Sequence, residues 1–191
     1  MSEEMSTASE AGLRGRGSWA LGGAIGGVVG SLLFGIVLWT ADPAIITETI
    51  PAIYGLEVGA VGWGFHLLHG LILGVVFGFL VSRSPVLGTL GADVHTQAIA
   101  DMGLTLRFAL AGVVYGLAVW AVLPIVVASV WAAVGGDSAP GFPAMAPVSL
   151  IGHLLYGLLL GTLFSLFVDV ETVTADEEAP FEEEPEDSRR D

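Results

Sequence analysis

The sequence predicts an all-α membrane protein of four transmembrane helices, arranged as a parallel duplication of a two-helix hairpin. Three observations carry this prediction. Mean hydropathy is +0.77 and only 14% of residues are charged, where a soluble domain carries about a quarter. Four uncharged stretches are each long enough to cross a bilayer, which takes about 20 apolar residues. One stretch is also written twice: His66 to Val81 reads HLLHGLILGVVFGFLV, and His153 to Val168, 87 positions on, reads HLLYGLLLGTLFSLFV. The echo extends backwards at an offset of 81, where Phe34-Gly35, Trp39 and Pro43 match Tyr115-Gly116, Trp120 and Pro124.

Taken in order, residues 1–17 are polar, contain Arg14 and Arg16, and are expected to be a disordered cytoplasmic N-terminus. The transmembrane domain covers 18–168. Its first span is 18–41, which holds no charge. A signal peptide is the alternative, but its apolar region would be about 7–15 residues long, and Trp39 is a poor residue for the −3 position of a cleavage site. Residues 42–59 form an outer connection containing Asp42, Glu48 and Glu57. Between Pro43 and Pro51 a short helix on the membrane surface is expected. Val58 to Ser82 is the second span, stopped by Arg83 and Pro85. The first repeat is therefore about 18–82.

Residues 83–106 read as a polar cytoplasmic linker, and its Asp93, His95 and Asp101 lack metal-ligand spacing. The second repeat is about 107–168. Phe108 to Gly136 is uncharged and holds the third span, where Pro124 predicts a bend or break near the outer end. Residues 132–146 read as an irregular loop from their Gly and Pro content, and the fourth span is about 147–168. The tail 169–191 holds 11 of the 20 acidic residues and is expected to be disordered. The net charge of −14 belongs to the ends rather than the body.

Orientation follows from arginine. All six basic residues are Arg, and they lie before the first span, between spans two and three, and in the tail. The positive-inside rule then places both termini in the cytoplasm of a protein that crosses the cell membrane several times. The two hairpins insert in the same direction, as parallel repeats.

Small residues predict how the helices meet, because a residue without bulk every four positions lets backbones approach closely in lipid. Span two carries Gly62, Gly70, Gly74 and Gly78, with His66 in the same series, and span four carries Ser149, Gly157, Gly161 and Ser165 around His153. Span one repeats the device at Gly23, Gly27, Ser31 and Gly35, and span three at Gly112 and Gly116. A tight four-helix bundle is expected. A homodimer, or a complex with another membrane protein, through one of these stripes is the competing arrangement.

His66 and His153 interrupt the stripes at equivalent places and are expected to face protein, opposite each other across a pseudo-twofold axis. His69 lies one turn deeper, with Tyr156 as its counterpart, and Trp39 and Trp120 sit near the outer boundary. These six residues are the candidate ligand-binding set, since ionisable groups inside a membrane mark functional sites. The competing reading is structural: neutral imidazoles bonded to helix carbonyls. Trp39, Trp120, Trp63 and Trp131 are most simply interfacial anchors.

Composition removes several chemistries. Without Lys there is no Walker A loop or Schiff base. Without Cys there is no disulfide, thiolate nucleophile or iron–sulfur ligation. No HExxH, GxSxG or intramembrane carboxylate pair is present, and nothing points to nucleic acid. The expected function is a non-enzymatic accessory, assembly or interaction component of the lipid bilayer, without cofactor or metal. The alternatives are a small redox or metal-binding protein, with haem b or a metal ion at His66 and His153, and a small transporter or channel.

The acidic ends, the absence of Lys, and the HLLHG and HLLYG hairpins resemble those of small haloarchaeal membrane proteins with four helices and no established activity. The resemblance covers roughly residues 18–168 and implies the fold alone. Such proteins are at times labelled histidine kinases. Here the pieces 1–17, 83–106 and 169–191 are too small to house an ATP-binding domain.

Overall fold

A chain segment in hydrocarbon must satisfy every backbone N–H and C=O internally, so uncharged apolar runs of this length fold as helices. The computed structural model of the protein describes residues 11–13, 18–91, 102–133, 147–168 and 170–172. It contains four helices long and apolar enough to cross a membrane, as a multi-pass membrane protein requires: α1 (Ser18–Ala41), α3 (Val61–Val81), α5 (Leu104–Ala133) and α6 (Pro147–Phe164). Two short helices join them, α2 (Ile50–Ile53) and α4 (Ser84–Gly91). Outward positions are apolar too, with Val114 and Ile125 about two-thirds exposed. A helix apolar all round suits lipid rather than water.

The order of packing is α3–α1–α6–α5, so α1 and α6 each pack against two helices. One face of α1 meets α3, where a Cβ on Gly23 or Gly27 would overlap the backbone of Gly74 or Gly70. The face beside it meets α6, with Gly26 against Leu160 and Gly30 against Tyr156. Helix α5 meets α6 through Gly112 against Gly157 and Gly116 against His153. The α1/α3 and α5/α6 pairs run antiparallel in matching register: Gly35 against His66 corresponds to Gly116 against His153. The expected bundle is nonetheless uneven, because α3 and α5 do not pack backbone to backbone.

Between α1 and α3 the chain folds over the end of the bundle opposite the termini. Asp42 accepts the Ala44 N–H at 3.0 Å, and a π-helical turn (Ile45–Thr49) leads into α2. This is the short helix expected between Pro43 and Pro51. It does not lie flat on a surface, however: Ile45, Ile46 and Ile50 are buried, and Gly62 lets the Ile46 carbonyl press against α3.

Several expectations change. The segment read as a polar linker contains α4, with Leu87 only 1% exposed. Arg107 completes its end, donating from Nη1 to the Leu90 carbonyl at 2.8 Å and from Nε to the Met102 carbonyl at 3.1 Å. A cation there suits the negative end of the helix dipole. Helix α5 runs through Pro124 without a break, since one lost backbone bond is tolerated where neighbours re-satisfy it. Ala132 and Ala133, read as loop, belong to that helix. Helix α6 stops at Phe164, and Ser165 lies in the turn that follows, its N–H bonded to the Gly161 carbonyl at 3.1 Å. Ala11–Leu13 (β1) and Val170–Thr172 (β2) pair as an antiparallel ribbon, inside ends expected to lack structure. Asp93, His95, Asp101 and residues 134–146 lie outside the described residues.

Two glycines on α3 test the packing. A Cβ at Gly74 would collide with the backbone of α1, whereas nothing lies within 4 Å of one at Gly64. Gly74→Ala is expected to destabilise the protein by about 1–3 kcal/mol. Gly64→Ala should be neutral or slightly stabilising, because Ala favours helix over Gly. Unfolding in mixed detergent micelles, followed by circular dichroism, measures both.

Candidate functional site

The same glycine positions that bring α1 against α3 bring His66 beneath a carbonyl. Its Nε2 donates to the Ser31 carbonyl of α1 at 2.9 Å. His153 on α6 instead turns inward along its own helix, with Nδ1 donating to the Ser149 carbonyl at 2.8 Å. A carbonyl only accepts, so each bond fixes a tautomer. The Nδ1 of His66 and the Nε2 of His153 are left as bare acceptors with no hydrogen-bond partner among the described residues. The two rings do not simply face each other, as the repeat suggests. The Phe34 ring packs edge-on against both, with centroids 5.4 Å from His66 and 4.7 Å from His153.

His69 is bound from above by the cap. The Tyr54 hydroxyl hydrogen-bonds its Nε2, and the Tyr54 ring stacks on Phe65 at 4.3 Å. Desolvation of Tyr54 raises its pKa above the ordinary phenol value, and which partner donates follows from the His69 tautomer. Deeper in the bundle, Tyr156 of α6 donates to the Gly70 carbonyl at 2.9 Å and Tyr115 of α5 donates to the Leu73 carbonyl at 2.8 Å. Phe77 packs against Tyr115 and Phe164 at this level. Large side chains therefore close the α3–α5 gap toward the terminal end of the bundle.

Above that floor the gap stays open as a cavity of about 640 Å³, within the range of small-molecule pockets. Phe34, His66 and His153 are among its walls, with Tyr156 lower down and Ile45, Ile50 and Tyr54 above. Ile72 of α3 and Val126 of α5 line it while remaining 49% and 48% exposed, so they form the rim of a mouth between those helices. No Asp, Glu or Arg is among the described lining residues. No protein-family model, curated protein or solved structure matches the chain.

Of the six candidate residues, His66, His69, His153 and Tyr156 line this cavity; Trp39 and Trp120 do not. Trp39 is 42% exposed beside Trp63, with ring centroids 5.9 Å apart. Trp120 holds its indole Nε1 in the protein interior without a hydrogen-bond partner among the described residues. Among the described residues, no group of three His, Cys, Asp or Glu is placed to hold a metal ion. Sequence reasoning passed over Phe34 and Tyr54 as site residues. Phe34 stood in the repeat as the match of Tyr115, but nothing in that match placed its ring between helices.

Tyr156→Phe deletes the one hydrogen bond described between α6 and the Gly70 carbonyl of α3. Its expected cost is about 0.6–2 kcal/mol, typical of interhelical bonds in lipid. Unfolding in mixed micelles measures it, and a variant as stable as the parent would remove this bond from the packing account.

Proposed function

We propose that the protein is a non-enzymatic accessory component of the cell membrane that works by holding a lipid-soluble small molecule in the cleft between α3 and α5. The observation that carries this reading is the cavity: largely apolar walls, a few polar groups at its centre, and a mouth whose rim residues Ile72 and Val126 are apolar and exposed. In a bilayer that mouth opens on hydrocarbon, so a ligand would arrive through the lipid. The absence of a carboxylate or arginine from the described walls leaves no partner for a charged substrate.

The architecture follows from a duplicated hairpin inserted twice in the same direction, with both termini and α4 in the cytoplasm. The matching register of the two helix pairs supports the duplication, and the Arg distribution supports the orientation. The cap over Ile45–Ile53 would then face the outside.

Two experiments test this. The chain has no Cys, so single cysteines report topology directly. A membrane-impermeant maleimide applied to intact cells should label Glu57→Cys and reach Ser6→Cys only after lysis; the reverse pattern would invert the orientation. For the cleft, photolabelling in nanodiscs with adamantane diazirine should be saturable and centred on the walls of α3 and α5. Val127→Trp, which fills the cleft, should abolish the saturable part, while Val114→Trp on the outer face should leave it intact. Labelling that is unsaturable and spread over outward faces would count against a binding site.

A further inference from the structure

Resting on that reading of the cleft, the two histidines say which head group it takes. His66 is 8% and His153 6% exposed, and both line the cavity. Each gives its only N–H to a helix carbonyl, Ser31 or Ser149, and keeps a lone-pair nitrogen without a partner among the described residues. The polar groups nearby do not supply one. Tyr156 gives its proton to the Gly70 carbonyl, the Ser31 hydroxyl gives its own to the Val28 carbonyl, and Tyr54 is bound to His69. Were either imidazole protonated, its second N–H would face mostly apolar walls with no carboxylate to receive it. The two histidines therefore present bare acceptors, and the donors that remain in the described lining, the Ser149 hydroxyl and the one proton of the Tyr54–His69 pair not used in their bond, are bonded to neither imidazole.

We infer that the cleft binds a neutral lipophile with a hydroxyl head, and favours it over the same molecule carrying a carbonyl. An O–H donates to a bare imidazole nitrogen, while a carbonyl sets lone pair against lone pair and leaves buried acceptors unpaired. An anionic head finds no Arg and a cationic head no carboxylate among the described walls. The edge of Phe34 beside both imidazoles lends an apolar wall to the carbon skeleton next to the hydroxyl. Two sources share this chemistry, a ring hydroxyl as in an alkyl hydroquinone and a chain alcohol as in a prenol. For the first, the preference means that the reduced form is retained and the oxidised form released.

The test displaces adamantane diazirine from the full-length protein in nanodiscs, with competitors compared at equal mole fraction in the bilayer. The pairs are decylhydroquinone against decylbenzoquinone, and farnesol against farnesal. The hydroxyl member is expected to compete at least about tenfold better, the loss typical when a buried acceptor goes unpaired. A preference in one pair alone supports the inference and identifies the head as ring hydroxyl or chain alcohol. His153→Phe keeps the ring volume, removes one of the two acceptors, and should lower the ratio; the comparison on the unmodified protein stands even where that variant fails to fold. Equal competition, or better competition by the carbonyl member, in both pairs overturns the head-group inference and leaves the cleft as a binding site. No saturable labelling and no competition by any of the four overturns both.

Discussion

The structure depends on how closely helix backbones approach when side chains are reduced to a hydrogen or a hydroxymethyl group. Lipid offers helices little hydrophobic reason to associate, so contact area and close approach must supply the attraction. Helix α1 supplies it twice. Gly23, Gly27 and Ser31 face α3, and Gly22, Gly26 and Gly30 face α6. At the positions of α5 that correspond to Gly26 and Gly30 stand Arg107 and Ala111. That helix has one small face, which α6 occupies. A chain of contacts results in place of a closed square, and the unmade α3–α5 contact is what becomes the cleft.

The cleft inherits its chemistry from the same constraint. Where α1 and α3 touch, Ser31 abuts Gly70, and its carbonyl lies within reach of His66 one turn away. In the other pair the residue matching Ser31 is Gly112, and His153 bonds the Ser149 carbonyl of its own helix instead. Two histidines at matching positions thus expose different nitrogens to one space. The Phe34 ring, in contact with both imidazoles and with Gly152, sits where its counterpart Tyr115 would bring a hydroxyl. Tyr115 instead sends that hydroxyl to Leu73 and helps to build the floor.

Much of the fold was legible because a bilayer imposes a simple rule. The first span was readable to the residue as Ser18–Ala41, since charge stops a span and nothing inside it is charged. The buried glycines at 23, 27, 70, 74, 112, 116, 157 and 161 were readable from their spacing. Less legible were features set by local packing. The PVLGTLG run after Arg83 is too short for a periodicity to reveal, and it forms α4 because Leu87 finds a buried place and Arg107 holds the last turn. Pro124 matches Pro43 in sequence, yet one lies inside a helix and the other follows the end of one.

By itself the sequence determined four apolar helices, one small-residue face on each at which they touch, and the burial of His66 and His153 on the touching faces. The reason is that hydropathy and four-residue spacing are properties of a single helix in lipid. Only the tertiary structure decided which small face met which partner, that Gly22, Gly26 and Gly30 form a second working face, and that α3 and α5 stay apart. Spacing states that a face can be approached closely but carries no name for the helix that approaches it. The cleft, its mouth at Ile72 and Val126, and the tautomers of its histidines all follow from that choice of partners.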